Sequence, residues 1–189
     1  MIGLLPKALT VAGNQYPIRS DFRIALRILQ AWNDPDLNEE EKAAVMLLCL
    51  YEIVPPQEQW EEACKQAVWF LDGGPMVLER SPNRYGKVMD WEQDEPIIFA
   101  AVNKVAGCET RAQEYVHWWT FLGFYNEIGD SVYASVLSIR MKKRKNKKLE
   151  KYEEEFYRNN KSLIDLQKKR TKEEQEVLDE LNRLLRPNR

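Results

Sequence analysis

The chain is poor in the residues that most reactions need. His117 is its one histidine. A metal site built from several imidazoles is therefore excluded, and a Ser–His–Asp or Cys–His arrangement would have to use this single ring. Beside Trp118 and Trp119, His117 is expected to be a hydrogen-bonded structural residue. The three cysteines, Cys49, Cys64 and Cys108, are odd in number and show no CxxC spacing. They read as free thiols in a reducing compartment, with Cys49 and Cys64 acting as small core hydrophobes. GxGxxG, GxxxxGK and GxSxG are all missing, so neither a phosphate cradle nor a nucleophile elbow has a carrier. No apolar run approaches the roughly 20 residues of a membrane span, and mean hydropathy is −0.57. Residues 1–6 have no basic n-region and no long h-region, so no signal peptide is expected. The sequence makes no case for an enzyme: no catalytic residue, cofactor or metal site is assigned. Asp90, Glu92, Asp94 and Glu95 form an acidic group open to a hard cation, but helix-start electrostatics explain it more simply.

Charge is present in quantity and unevenly placed. Residues 1–139 hold 11 Lys and Arg against 20 Asp and Glu, a balance of −9. Residues 140–189 hold 17 against 10, a balance of +7. The expected organisation is an acidic helical domain over 1–139 with an N-terminal hairpin, followed by a basic, partly coiled-coil-like extension over 140–189.

Residues 9–18 read as a short β-hairpin turning at Gly13-Asn14, with Pro17 confining its strand to an edge. A lone hairpin is marginal in water, so it must pack on helices or pair further. Ser20 or Asp21 is expected to cap a first helix carrying Phe22, Ala25, Leu26, Leu29 and Trp32, broken at residues 33–36. Asn38 with Glu41 has the form of a capping box for a helix to about Tyr51. That helix is apolar nearly all round and is predicted to be the central buried one. A third helix is expected over 57–71, stopped by Gly73-Gly74-Pro75, and residues 75–89 form a long loop.

Residues 90–128 are aromatic-rich. Asp94 is expected to cap a helix with its carboxylate, with Pro96 in the first turn and Gly107 at the end. A second helix is predicted over about Thr110 to Glu127, with Tyr115, Trp118, Trp119, Leu122 and Tyr125 on one stripe. The stripe is either core or, in part, an exposed docking surface. The candidate protein-binding residues of this segment are Trp91, Tyr115, Trp118, Trp119 and Phe121. Val132, Val136 and Ile139 form a further helical face that leads into the basic run.

Arg140, Lys142, Lys143 and Arg144 open that run, which continues to Lys151. It is read as a solvated face or a tether to acidic protein, a specific partner-docking segment, or a non-specific nucleic-acid contact. The last lacks interleaved aromatics for base stacking, and the acidic body opposes it. Leu149, Tyr152, Phe156, Leu163 and Leu166 then follow a partial heptad rhythm.

Several short stretches together resemble a known family. They are Asp21-Phe22-Arg23 with Leu26, residues 37–42, residues 69–74, residues 90–94 and residues 117–122, with basic residues near Arg140. In this order and spacing the chain is similar, over roughly residues 8–145, to tail-region proteins of tailed bacteriophages and prophages of Gram-positive hosts. Pro96 departs from the family pattern, in which a helix continues from Asp90. The resemblance implies a tail assembly chaperone or allied assembly factor. Its implied partners are the tape-measure protein, possibly the tail tube protein, and further copies of itself, with no membrane partner. It also implies action in the host cytoplasm and absence from the mature virion. A structural tail component and a nucleic-acid-binding accessory protein are the alternatives. The fold expected is mainly α: a compact helical domain with a small N-terminal β-hairpin and a long charged C-terminal helix.

Overall fold

The computed structural model describes residues 3–74, 87–167 and 169–185. Its architecture is mainly α with one two-stranded sheet. Strands β1 (Ala8–Val11) and β2 (Asn14–Pro17) pair antiparallel, with Val11 opposite Asn14. The two turn residues are Ala12 and Gly13, both at positive φ (47° and 77°), one position earlier than the predicted Gly13-Asn14 turn. The hairpin is tied to the body twice. Leu9 and Val11 are buried in the core, and Ile18 bridges to Tyr51 while the Glu52 N–H donates to the Pro17 carbonyl.

Helix α1 (Phe22–Trp32) starts at Asp21, whose carboxylate accepts from the Arg23 N–H. Helix α2 (Glu39–Leu50) starts at the predicted capping box of Asn38 and Glu41. The expectation that α2 is the central buried helix is corrected: Met46, Leu47 and Leu50 point inward, but Leu48 is 64% exposed. The helix packs between α1 and the helix that follows it, with the side that carries Leu48 left to solvent among the described residues. A 3₁₀ turn over Gln57–Gln59 leads into α3 (Trp60–Leu71), which buries Ala63, Ala67, Phe70 and Leu71. Most of the predicted long loop, residues 75–86, lies outside the described residues.

Helix α4 (Glu95–Ala106) has Pro96 in its first turn and ends at Gly107 in the left-handed region, φ 70°, as the sequence implies. The helix predicted from Thr110 begins only at α5 (Trp118–Asn126). Thr110–Ala112 is a 3₁₀ turn, and residues 113–116 are a bend and irregular chain outside any helix. Long-range bonds outcompete helical ones here. The Val116 carbonyl accepts from the Phe22 N–H, and the Val116 N–H donates to Asp21. Tyr115 is therefore off the helical stripe. Within the core Phe22 stacks on Phe121, centroids 4.6 Å apart and rings nearly parallel, and Trp118 stacks on Phe121 at 5.9 Å.

Helix α6 (Val132–Arg144) is capped by Ser131 and runs without a break through the position where the charge balance changes sign. The predicted single coiled-coil-like stretch is three separate helices: α7 (Lys151–Asn159), α8 (Lys161–Ile164) and α9 (Lys172–Leu185). Leu149, Phe156, Leu163 and Ile164 fold back over Val136, Ile139 and Ile97 as a second small core. The apolar spacing was real, but it serves this core, and α9 alone remains as the charged terminal helix.

Candidate protein-binding surface

The opening of the basic run is turned inward, while Arg144, Lys145, Lys147, Lys148 and Lys151 are exposed. Arg140 is 4% exposed and Asp94 is fully buried. They meet in a bidentate pair, Nη1 to Oδ2 at 2.6 Å and Nη2 to Oδ1 at 2.8 Å. The other guanidinium N–H groups donate to the carbonyls of Val88, Leu163 and Ile164. All five donors of Arg140 thus have partners. Asp94 stands at the predicted cap position of α4 but makes no cap bond. Its carboxylate faces Arg140 and also accepts from the Asp90 N–H at 2.9 Å. Arg140, expected as an exposed binding residue, presents almost no surface to a partner.

Lys142 and Lys143 are also engaged. Lys142 Nζ donates to Glu153 at 2.7 and 2.8 Å, which raises its pKa. Lys143 donates to Asp165 at 2.6 Å and lies 3.7 Å over the Tyr157 ring. Desolvation opposes the Lys143 charge, yet these partners outweigh it and raise its pKa. Arg144, at the end of α6, is exposed.

The aromatic candidates divide in the same way. Trp118 and Phe121 are core residues, 1% and 0% exposed. Trp119 is half-buried: its indole N–H donates to the Phe70 carbonyl at 2.8 Å, and its ring meets Trp69 edge-on. Tyr115 is exposed, with its hydroxyl 2.7 Å from Ser20 Oγ. His117 is a structural residue. Its Nδ1 accepts from the Trp119 N–H at 3.0 Å, capping α5, and Nε2 lies 2.9 Å from the Pro6 carbonyl. A carbonyl can only accept, so Nε2 carries the proton and the ring is neutral. Burial lowers its pKa, with the Pro6 bond opposing and Lys7 adding to the effect.

Trp91 is the exception. It is half-buried, stacked obliquely on Tyr125 at 5.3 Å, and it lines a groove between α1 and the start of α4. The turn that carries it is stitched from several sides. Asp90 Oδ1 accepts from the Glu92 and Gln93 N–H groups, and Lys87 donates to Oδ2. Burial alone would raise the Asp90 carboxyl, but these bonds hold it down at about 2. The Gln93 side chain bonds the backbone at Asp165 and Gln167. The Asp94–Arg140 pair therefore fixes the turn that sets one wall of the groove.

This groove holds about 510 Å³. Phe22, Leu26, Trp91 and Phe99 supply its apolar lining, and Arg23, Arg27, Glu92, Glu95 and Arg111 its charged rim. Two rim arginines are pre-placed. Arg23 pairs with Asp21 and donates to the carbonyls of Arg111 and Gln113, and its guanidinium lies 4.7 Å over Phe22. Arg111 lies 4.8 Å over Phe99 and pairs with Glu109. That bond, with backbone and Asn103 contacts against a weaker desolvation effect, holds Glu109 at about 2. Arg27 is exposed and has no ion-pair partner among the described residues. Aromatic and aliphatic floor with arginines of fixed geometry at the rim is the composition of protein-interface hot spots. Sequence reading found Trp91 but missed Arg27, Phe99 and Arg111 as its companions. Leu26 was read as a core residue of the first helix, and periodicity gave no sign that α1 leaves this face uncovered.

Among the described residues no His, Cys, Asp or Glu cluster has the arrangement of a metal site, and no helix is long and apolar enough to cross a membrane. The sequence model of one protein family, described as Bacteriophage Gp15 protein, matches residues 1–166. No curated protein and no solved structure gives a match.

Proposed function

The chain belongs to the Bacteriophage Gp15 protein family, and from that premise we propose that it is a non-enzymatic assembly factor of the phage tail. In this reading it covers the tape-measure protein until tail tube subunits replace it. It acts in the cytoplasm of the host and is left out of the finished virion. Family membership supports the coarser part, a structural or assembly protein of a phage.

The observation that carries the finer part is the α1–α4 groove. A long tape-measure helix exposes apolar stripes that aggregate in water. A groove with Leu26, Trp91 and Phe99 along its floor accepts the i, i+3 and i+4 side chains of such a stripe. Charges of both signs along the rim suit the polar flanks of the same helix. At about 510 Å³ the groove takes a few side chains only. One site is therefore weak, which suits a partner that must later be displaced.

The reading is tested by mass spectrometry of purified virions together with affinity purification from infected cells. A chaperone is retained with tape-measure protein in lysates and is missing from virions. Stoichiometric presence in virions identifies a structural tail component and overturns the reading.

A further inference from the structure

Helix α9 and the surface of α6 and α7 are complementary in charge and apolar exposure. Helix α9 is amphipathic, yet its apolar residues Val177 and Leu181 are 67% and 50% exposed. Its root is fixed to the body, since the Lys172 N–H donates to Asp36 and Lys169 pairs with Glu92. A 14-residue helix is thus held out with a greasy stripe uncovered.

Elsewhere on the chain a second groove of about 510 Å³ runs between α6 and α7. Ala134, Ile139, Tyr152 and Phe156 supply its apolar lining, beside three serines of α6 and its cap and Glu153, whose charge is met by Lys142, and Tyr152 is 71% exposed. Helix α6 has 13 residues and α9 has 14, each about 20 Å long at 1.5 Å per residue. The α6 wall of the groove runs only from Ser131 to Ile139, so α9 is longer than the groove. The charges of helix and groove match. Helix α9 carries five acidic residues against two basic, with Glu173, Glu174 and Glu176 toward its start and Arg183 in its last turn. The loop joining α6 to α7 carries the exposed Lys147 and Lys148, the exposed Lys151 opens α7, and Asp130 lines the groove just before α6.

We propose that α9 of one copy lies in the α6–α7 groove of a second copy, its acidic start against Lys147, Lys148 and Lys151, and Arg183 toward Asp130. Such a contact joins two different surfaces. Each added copy leaves one α9 and one groove open, so the chain grows head to tail. The inference concerns the protein without any client and stands apart from the proposed function.

The test is sedimentation velocity of the purified full-length protein over a wide concentration range. The wild type is expected to grow beyond the dimer as concentration rises. Val177→Glu with Leu181→Lys removes the α9 stripe, and Tyr152→Glu with Ala134→Glu blocks the groove. Each double variant alone is expected to stay monomeric with an unchanged circular dichroism spectrum. Mixed together, they are expected to form a dimer and nothing larger, because only one α9 and one groove remain. Lys147→Glu with Lys148→Glu is expected to weaken association about tenfold and Glu173→Lys with Glu176→Lys to restore it. A wild type that is monomeric throughout overturns the proposal. So does undiminished association of the α9 variant, or a folded pair of variants that fail to join when mixed.

Discussion

Asp94 and Arg140, 46 positions apart, form a buried two-bond ion pair, and the same guanidinium clamps the carbonyls of Val88, Leu163 and Ile164. One side chain thereby joins α6, α8 and the turn that carries Trp91. Removing one charge of such a pair leaves the other buried without compensation. Arg140→Met and Asp94→Ala are each expected to lower unfolding stability by about 3–5 kcal/mol. Arg140→Lys is expected to lose most of that, since an ammonium cannot reach all five acceptors at once. Urea denaturation checks this; a loss under about 1 kcal/mol contradicts it.

His117 makes stability depend on pH. Burial sets its folded pKa below the ordinary 6.5, so the unfolded chain binds the proton first as pH falls. The contribution is complete above about 6.5 and is lost as pH drops from there toward the folded value. Protonation also removes the Nδ1 acceptor that caps α5. His117→Asn keeps a capping oxygen and no titration. Thermal melts between about pH 7 and 5 are expected to show a falling Tm in the wild type and a flatter profile in the variant. Equal slopes contradict the assignment.

Gly74 has a φ of +62°, and a Cβ there would stand 2.4 Å from the Trp119 ring. Gly74→Ala combines left-handed strain with a clash that the Trp69–Trp119 contact resists. The expected loss is about 1–3 kcal/mol. At this chain length that is about 2–4 °C of Tm per kcal/mol, readable by calorimetry. An unchanged Tm means that Trp119 moves freely aside.

The α1–α4 groove is expected to respond in binding more than in folding. Arg27→Glu reverses an exposed rim charge that has no ion-pair partner among the described residues, and Leu26→Gln makes the half-buried floor polar. Together they are expected to weaken retention of tape-measure segments by about 2 kcal/mol, the size of a hot-spot loss. Circular dichroism should hold. Undiminished retention places the client elsewhere.

The local features were legible because local rules produce them. The Asn38–Glu41 box, Pro96 and Gly107 act on the four or five residues beside them, as does the cap bond of Asp21, and sequence spacing displays that directly. What failed was long-range. An aspartate before a helix has the same appearance whether it serves the helix or an arginine 46 positions away. Asp94 serves the arginine. A run of cations reads as surface even where Arg140 is sealed inside and Lys142 and Lys143 bind Glu153 and Asp165. Helical periodicity carried the aromatic stripe back to Tyr115, but hydrogen bonds to Asp21 and Phe22 hold Val116 outside the helix. Leu48 shows the limit of composition: an apolar stretch says that burial is available, and the neighbours decide which side receives it. Of the site residues, Trp91 was found from its motif. Arg27 and Arg111 gained their positions only when α1 and α4 came together.

Tape-measure solubility tests the central claim most directly. The tape-measure protein is expressed alone and together with this chain, and its soluble fraction is measured after centrifugation. The account predicts that the client precipitates alone, remains soluble in the presence of this chain and co-purifies with it. A client that precipitates to the same extent in both cases contradicts it.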